Sequence, residues 1–323
     1  MPRYKVVVTD DRYDNYNEEN KVLSELDTVV EVHNFSSAEE AGASLKDADA
    51  VLVNLFPLTK ELIDSMEKCR VIVRYGVGYD NVDVTAATKK GIWVARVPDY
   101  SLEDVSDHAL ALLLSAVRKI AYKDRKVRSG QWNLHNDWPA FRIADKTLGL
   151  IGFGAIARVL LRKVSGLGLK KVLIFDPYVP ADIIRKFGGE PASLKELIGQ
   201  SDFISIHAPL TDETRGLIGP EEFSGMKENC ILVNTSRGPL VDEEALYRAL
   251  KNGQIAAAGI DVFSTEPLSA DSRLRELENI TLTDHAGWYS EESIVELKTK
   301  AAQNVLSVLK GGKPVYPVND FNS

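Results

Sequence analysis

Thr147-Leu-Gly-Leu-Ile-Gly-Phe-Gly-Ala-Ile-Ala157 decides the fold. Its opening residues are uncharged and apolar, its centre is a Gly-x-Gly-x-x-Ala turn, and a helical pattern continues to Val164. A strand, a tight turn and a helix start, in that order, predict a βα unit built for a dinucleotide. Gly152 makes the turn, Gly154 lets the backbone approach a pyrophosphate, and Ala157 keeps the helix close to the sheet. Ala155 and Ile156 open that helix, whose unpaired N–H groups and positive dipole end suit phosphate. Asp176 closes the next apolar run, 19 residues beyond Ala157. A carboxylate there accepts hydrogen bonds from the adenosine ribose hydroxyls. Its neighbours Pro177 and Tyr178 supply no cation for a 2′-phosphate, so the expected cofactor is NAD.

Similar runs extend in both directions. Downstream, strands are expected at Leu148–Ile151, Val172–Phe175, Phe203–His207, Ile231–Asn234, Ala257–Ile260 and Ile280–Leu282. Six strands separated by helices or turns predict a doubly wound sheet. Upstream, Lys5–Thr9, Val29–His33, Ala50–Asn54 and Val71–Arg74 read as strands, with helices near 15–26, 38–45 and 59–68. These strands are continuously apolar rather than alternating, as sheets covered on both faces require. Between the two regions one long helix is expected from Ser101 to about Arg128, opened by a Ser101/Asp104 capping box. From Ala109 to Val117 only Ser115 is polar. A helix apolar all round is buried on every side, against the other domain or a second subunit. The expectation is a homodimer through residues 101–128. The amphipathic run Ser290–Leu309 is left over, which returns the C-terminus to the first domain. The domains expected are therefore 1–99 plus 288–323, and 100–287.

At 323 residues the chain is long enough for two domains with real cores. Apolar residues make up 44%, charged residues 27%, and the net charge is −8. An acidic chain without a basic run is a poor partner for nucleic acid or an anionic membrane. No run reaches the length of a membrane span, and the strand-like residues from Lys5 leave no room for a signal peptide. The expected location is the cytoplasm. Cys69 and Cys230 lie beside apolar runs and read as inert interior residues, and no metal-ligand spacing occurs.

Three strand ends carry candidate chemistry: Asn234-Thr-Ser-Arg237-Gly238, Asp261-Val-Phe-Ser-Thr-Glu266-Pro267 and Thr283-Asp-His285-Ala-Gly-Trp288. Ligands bind beyond the carboxyl ends of such strands, so Arg237, Glu266 and His285 are expected to converge. His33, His108 and His135 show no acidic partner pattern and read as structural or surface residues.

With these segments and Arg74-Tyr-Gly-Val-Gly-Tyr-Asp80, the chain resembles the D-isomer-specific 2-hydroxyacid dehydrogenase family. The run His285–Glu291 and the segment Val97–Asp104 look most like its C-terminal-binding-protein branch. The resemblance implies an α/β fold: a doubly wound Rossmann NAD-binding domain inserted in a flavodoxin-like substrate domain. It implies that hydride passes between NAD(H) and C2 of a small D-2-hydroxy or 2-oxo acid. His285 would be the acid and base, Glu266 would hydrogen-bond its ring and favour the protonated form, and Arg237 would orient the substrate. His207, Ala208, Thr235, Ser236, Arg237, Asp261, His285 and Gly287 would line the cofactor cleft beside the glycine turn. Arg74, Tyr75, Gly76, Val77 and Trp288 would join Arg237 and His285 around the substrate. Trp288 is either an aromatic wall or interdomain packing. Asp284 stands where the family usually has Pro, and Glu266 in place of Gln argues against formate oxidation. The opposing reading is a regulatory protein that senses NAD(H) and grips a protein partner. The complete Arg237/Glu266/His285 set favours the enzyme.

Overall fold

Continuous apolar strands need cover on both faces, and that requirement organises the computed structural model, which describes residues 3–132 and 140–321. The chain divides into two compact units, Met1–Ser101 with Ser290–Ser323, and Leu102–Tyr289.

The first unit runs β1 (Tyr4–Val8), α1 (Asn17–Leu23), β2 (Thr28–Val32), α2 (Ala38–Leu45), β3 (Ala50–Val53), α3 (Lys60–Ser65), β4 (Val71–Arg74), α4 (Val84–Lys89) and β5 (Trp93–Ala95). Its parallel sheet has the order β2-β1-β3-β4-β5. The short β5 and the helix before it were not read from sequence. Three residues carry too little periodicity to stand out.

The second unit begins with α5 (Leu102–Arg118) and α6 (Ile120–Arg128), then β6 (Thr147–Ile151), α7 (Ala155–Val164), β7 (Lys171–Phe175), α8 (Ala181–Lys186) and β8 (Glu190–Pro191). It continues through α9 (Leu194–Gln200), β9 (Phe203–Ile206), α10 (Pro220–Gly225), β10 (Ile231–Asn234), α11 (Glu243–Lys251), β11 (Ala257–Ile260) and β12 (Ile280–Leu282). The parallel order β12-β11-β10-β9-β6-β7-β8 reverses direction between β6 and β9. That reversal is the switch point where such sheets bind ligands. Among the described residues the sheet has seven strands where six were expected, the addition being the two-residue β8.

Alternate residues feed opposite layers. Leu148 and Leu150 of β6 pack with α5 and α7, in one cluster with Leu112, Leu113 and Leu160. Ile151, Ile204 and Ile206 join Leu197, Leu246 and Leu250 on the other face.

The single helix expected over 101–128 is corrected to two. Lys119 adopts a left-handed conformation at φ 57° and separates α5 from α6. The capping box is not formed either, since the buried Ser101 Oγ makes no hydrogen bond among the described residues. Within a single chain, α5 is covered on part of its surface. Ala109, Leu112, Leu113, Ala116 and Val117 are covered, whereas Ala111 is exposed and Leu110 and Leu114 are half-buried. An apolar stretch is wider here than the face its own unit covers.

The last helix, α12 (Glu291–Leu309), packs on α1 within the first unit. Lys298 is 2% exposed there, bonded to Glu18 and Asn15 and 3.7 Å from the fully buried Glu19. Tyr75 donates to the other Glu19 oxygen at 2.8 Å. Burial raises the Glu19 carboxyl above its ordinary range, and Tyr75 and Lys298 only partly oppose this. Removing the ammonium with Lys298→Met strands that acid. The expected loss is about 3 kcal/mol, read as a lower urea midpoint that Glu19→Gln partly restores.

Candidate active site

Every strand end that faces the switch point of the second unit carries a group singled out from sequence. Gly152 follows β6 with φ 88°, a conformation open to glycine. A Cβ there would lie 2.6 Å from the Ala208 nitrogen just after β9. At Gly154 a Cβ would meet nothing within 4 Å, so the backbone beside the N-terminus of α7 has open space on that side. Asp176 fastens the turn: it accepts from Phe153 N–H at 2.8 Å and Tyr178 N–H at 2.9 Å. Ala157 is fully buried against the sheet.

His207 follows β9, and its Nε2 lies 2.9 Å from Ser205 Oγ. Burial pushes the ring down to about 4, so it is neutral at pH 7. Beyond β10, Asn234 closes a turn by donating to Arg237 O at 2.9 Å and accepting from Ser236 N–H at 3.0 Å. Ser236 Oγ donates to Ala208 O, and Arg237 Nη1 to Ser236 O at 2.8 Å. Thr235 Oγ1 is buried and makes no hydrogen bond among the described residues. The open side of Gly154, the α7 N-terminus and the waiting Thr235 hydroxyl fit a dinucleotide along this edge.

His285 stands after β12 at φ 59°, its N–H bonded to Asp261 O at 2.8 Å. Its Nδ1 lies 2.6 Å from Glu266 Oε2, while Glu266 Oε1 accepts from Phe263 N–H at 2.9 Å. Burial would raise the Glu266 carboxyl, but His285, that N–H and the Arg237 charge outweigh it and hold it below the usual range. An ionised carboxylate only accepts, so Nδ1 carries a hydrogen and Nε2 is the ring nitrogen not engaged by Glu266. Asp284 is exposed.

Asp261 is 1% exposed and receives Thr283 Oγ1–H at 2.6 Å, Ala286 N–H at 2.9 Å and Gly287 N–H at 2.9 Å. Burial alone would raise its carboxyl, yet bonds from His108, Thr283 and Gly287 bring it to about 2. The reading of His108 as a residue without an acidic partner is therefore corrected. Its Nε2 lies 3.2 Å from Asp261 Oδ1 and 2.9 Å from Thr283 Oγ1. The two residues are 153 positions apart, so no local pattern could reveal the pair. His33 also has an acid within 3.6 Å, Glu31, and stacks on Phe35. His135 lies outside the described residues. Trp288 is half-buried, its ring edge-on to Tyr289.

In the first unit, Arg74 ends β4 and is buried, with Gly76 (φ 141°) beside it. A Cβ on Gly76 would overlap Arg74 Nη1 at 1.5 Å. The side chain of Tyr75 is 2% exposed and points to Glu19, which leaves only its backbone for a ligand. Val77 is half-buried, and its carbonyl accepts from Arg96 Nη1 at 3.3 Å, a brace that sequence reading missed. Cys69 and Cys230 are buried thiols, each pushed up to about 12 by burial. Among the described residues no helix is long and apolar enough to cross a membrane.

A doubly wound sheet with this glycine turn, and a His–Glu pair at its carboxyl edge, define an NAD-dependent oxidoreductase. Residues 110–287 match the D-isomer specific 2-hydroxyacid dehydrogenase NAD binding domain. The chain belongs to the D-isomer specific 2-hydroxyacid dehydrogenase family. It is 40% identical to a glyoxylate reductase of Korarchaeum cryptofilum over 85% of this chain and 84% of that protein. It is 38% identical to a D-3-phosphoglycerate dehydrogenase of Methanocaldococcus jannaschii over 95% of its own length, but spans only 58% of that protein. Its fold is similar to that of a D-lactate dehydrogenase from Aquifex aeolicus solved with NAD and lactic acid. The TM-score is 0.84 at 30% identity, covering 95% of this chain and 96% of the other.

The His207 environment sets a pH dependence. Unfolded, the ring takes a proton near 6.5; folded, it resists until about 4. The unfolded state therefore binds more protons in that window, and stability falls as pH drops from 6.5 toward 4. Urea midpoints at pH 7, 5 and 4 should show this slope, and His207→Gln should flatten it.

Proposed function

We propose that the protein transfers hydride between NAD(H) and C2 of a small D-2-hydroxy or 2-oxo acid. The observation that carries this reading is the 2.6 Å contact between His285 Nδ1 and an ionised Glu266, which leaves Nε2 to serve as acid and base. The bound nicotinamide supplies or accepts the hydride. In reduction His285 gives its Nε2 proton to the carbonyl oxygen of the substrate, and Glu266 balances the imidazolium while it is charged. In oxidation Nε2 takes the proton back. Arg237, whose charge helps keep Glu266 ionised, orients and polarises the 2-oxo acid.

The same reading gives each remaining residue a task. The Gly152–Ile156 turn and helix start hold the pyrophosphate, and Asp176 holds the adenosine ribose. His207, Ala208, Thr235, Ser236, Asp261 and Gly287 line the nicotinamide side. Arg74, the backbone of Tyr75, Gly76 and Val77 grip the substrate carboxylate. Trp288 offers an apolar wall that suits a 2-oxo acid with a hydrophobic side chain better than glyoxylate. The relatives described above carry enzyme names, which supports a reductase rather than a regulatory protein.

NADH oxidation with glyoxylate, hydroxypyruvate, phenylpyruvate and branched-chain 2-oxo acids tests the reading. Turnover is expected, and His285→Ala should lower kcat by about 10³-fold. In the same assay Arg74→Ala should raise KM for the 2-oxo acid at least about tenfold and leave that for NADH unchanged. Absence of turnover across the panel would overturn the proposal.

A cytoplasmic homodimer through residues 101–128 belongs to the same proposal. Leu110 and Leu114 are only half-covered on α5, and Ile120 and Val127 are exposed on α6, an apolar surface suited to a second copy. Sedimentation equilibrium should give twice the chain mass. A monomer at micromolar concentration would refute the interface.

A further inference from the structure

The carboxylate of Asp261 gathers its donors from two directions. Thr283 Oγ1–H, Ala286 N–H and Gly287 N–H come from the loop that carries His285. The remaining donor, His108, comes from the second turn of α5. Thr283 spends its hydroxyl hydrogen on Asp261 at 2.6 Å, so toward His108 Nε2, at 2.9 Å, it can only accept. Nε2 therefore carries the hydrogen and directs it at the Thr283–Asp261 pair. The fit is close on the loop side as well. A Cβ on Gly287 would come within 2.9 Å of Asp261 Oδ2 and 3.4 Å of the His108 ring.

We propose that His108 is a positioning residue for the acid–base histidine: its Nε2–H ties Thr283 and Asp261 to α5 and so fixes the 283–287 loop on which His285 stands. His285 sits between the anchored residues with φ 59° and its own N–H on Asp261 O, a conformation held by its surroundings. The kinetic consequence rests on the reading of His285 as acid and base, whereas the tether itself does not.

Replacing the ring by an apolar group removes the donor from α5 but leaves the ionised Asp261 and its loop donors in place. His108→Leu should therefore loosen the loop without unfolding the unit. Amide hydrogen exchange at Ala286 and Gly287 should speed up about tenfold or more, while Leu150 and Ile204 in the central strands stay as in the parent. With NADH and a 2-oxo acid that the parent reduces, kcat should fall about 10²-fold, as expected for a misplaced reacting group. His108→Gln places an amide N–H at similar reach and should restore both slow exchange and most of kcat. Thr283→Val, which removes the hydroxyl from the loop side, should reproduce the exchange pattern and carries the test if His108→Leu does not fold.

Unchanged exchange at Ala286 and Gly287 in both apolar variants would overturn the proposal. So would faster exchange spread evenly through the unit, or a Gln variant as loose as Leu. A parent without turnover, but with the expected exchange pattern, would leave the tether standing and reject the acid–base role of His285.

Discussion

One buried carboxylate holds the carboxyl edge of the second unit's sheet together. Asp261 is almost fully covered, so its charge has given up water and must be repaid by donors. The protein supplies four: a hydroxyl, an imidazole N–H and two backbone N–H groups. Only an ionised acid can accept all of them, and the group is accordingly held near 2. The loop after β12 consequently has little freedom. A left-handed backbone at His285 costs about 1–2 kcal/mol in an L-residue, and it persists because the residues around it are pinned. The anchoring acid thus lies one step behind the ring that faces Glu266.

The electrostatics are local rather than global. A net charge of −8 repels anions at a distance, yet the family's cofactor and substrates are anionic. In the proposed reading, the groups that meet them in the second unit are the N-terminus of α7, beside an open glycine, and Arg237. In the first unit that reading assigns the task to Arg74, buried at the end of β4 next to a glycine that gives its guanidinium room. Charge placed at strand ends, in low dielectric, counts for more than the sum over the surface.

Much of this was legible in the chain. Strand interiors such as Ile231–Asn234 and Ala257–Ile260 are continuous apolar runs, and they lie where the runs predicted them. The glycine turn and the three strand-end motifs are local, so spacing alone exposes them. What escaped is short or non-local. The two-residue β8 and three-residue β5 have no period to detect. The break at Lys119 is a backbone choice inside a helical composition. Tyr75 reads as part of a ligand turn, yet its ring is claimed by Glu19, 56 positions away.

The sequence by itself determined the α/β class and the glycine turn, and it put Arg237, Glu266 and His285 at strand ends, because each depends on neighbours within a few residues. Only the tertiary structure decided which nitrogen of His285 meets Glu266, that Asp261 gathers its donors from the loop after β12, and that His108 meets Asp261. Those facts depend on contacts between segments 19, 22 and 153 residues apart, brought together by the parallel register of β11 and β12 and by the seating of α5 on the sheet. Hydrogen bonds act over about 3 Å of space, and distance along the chain does not reveal them.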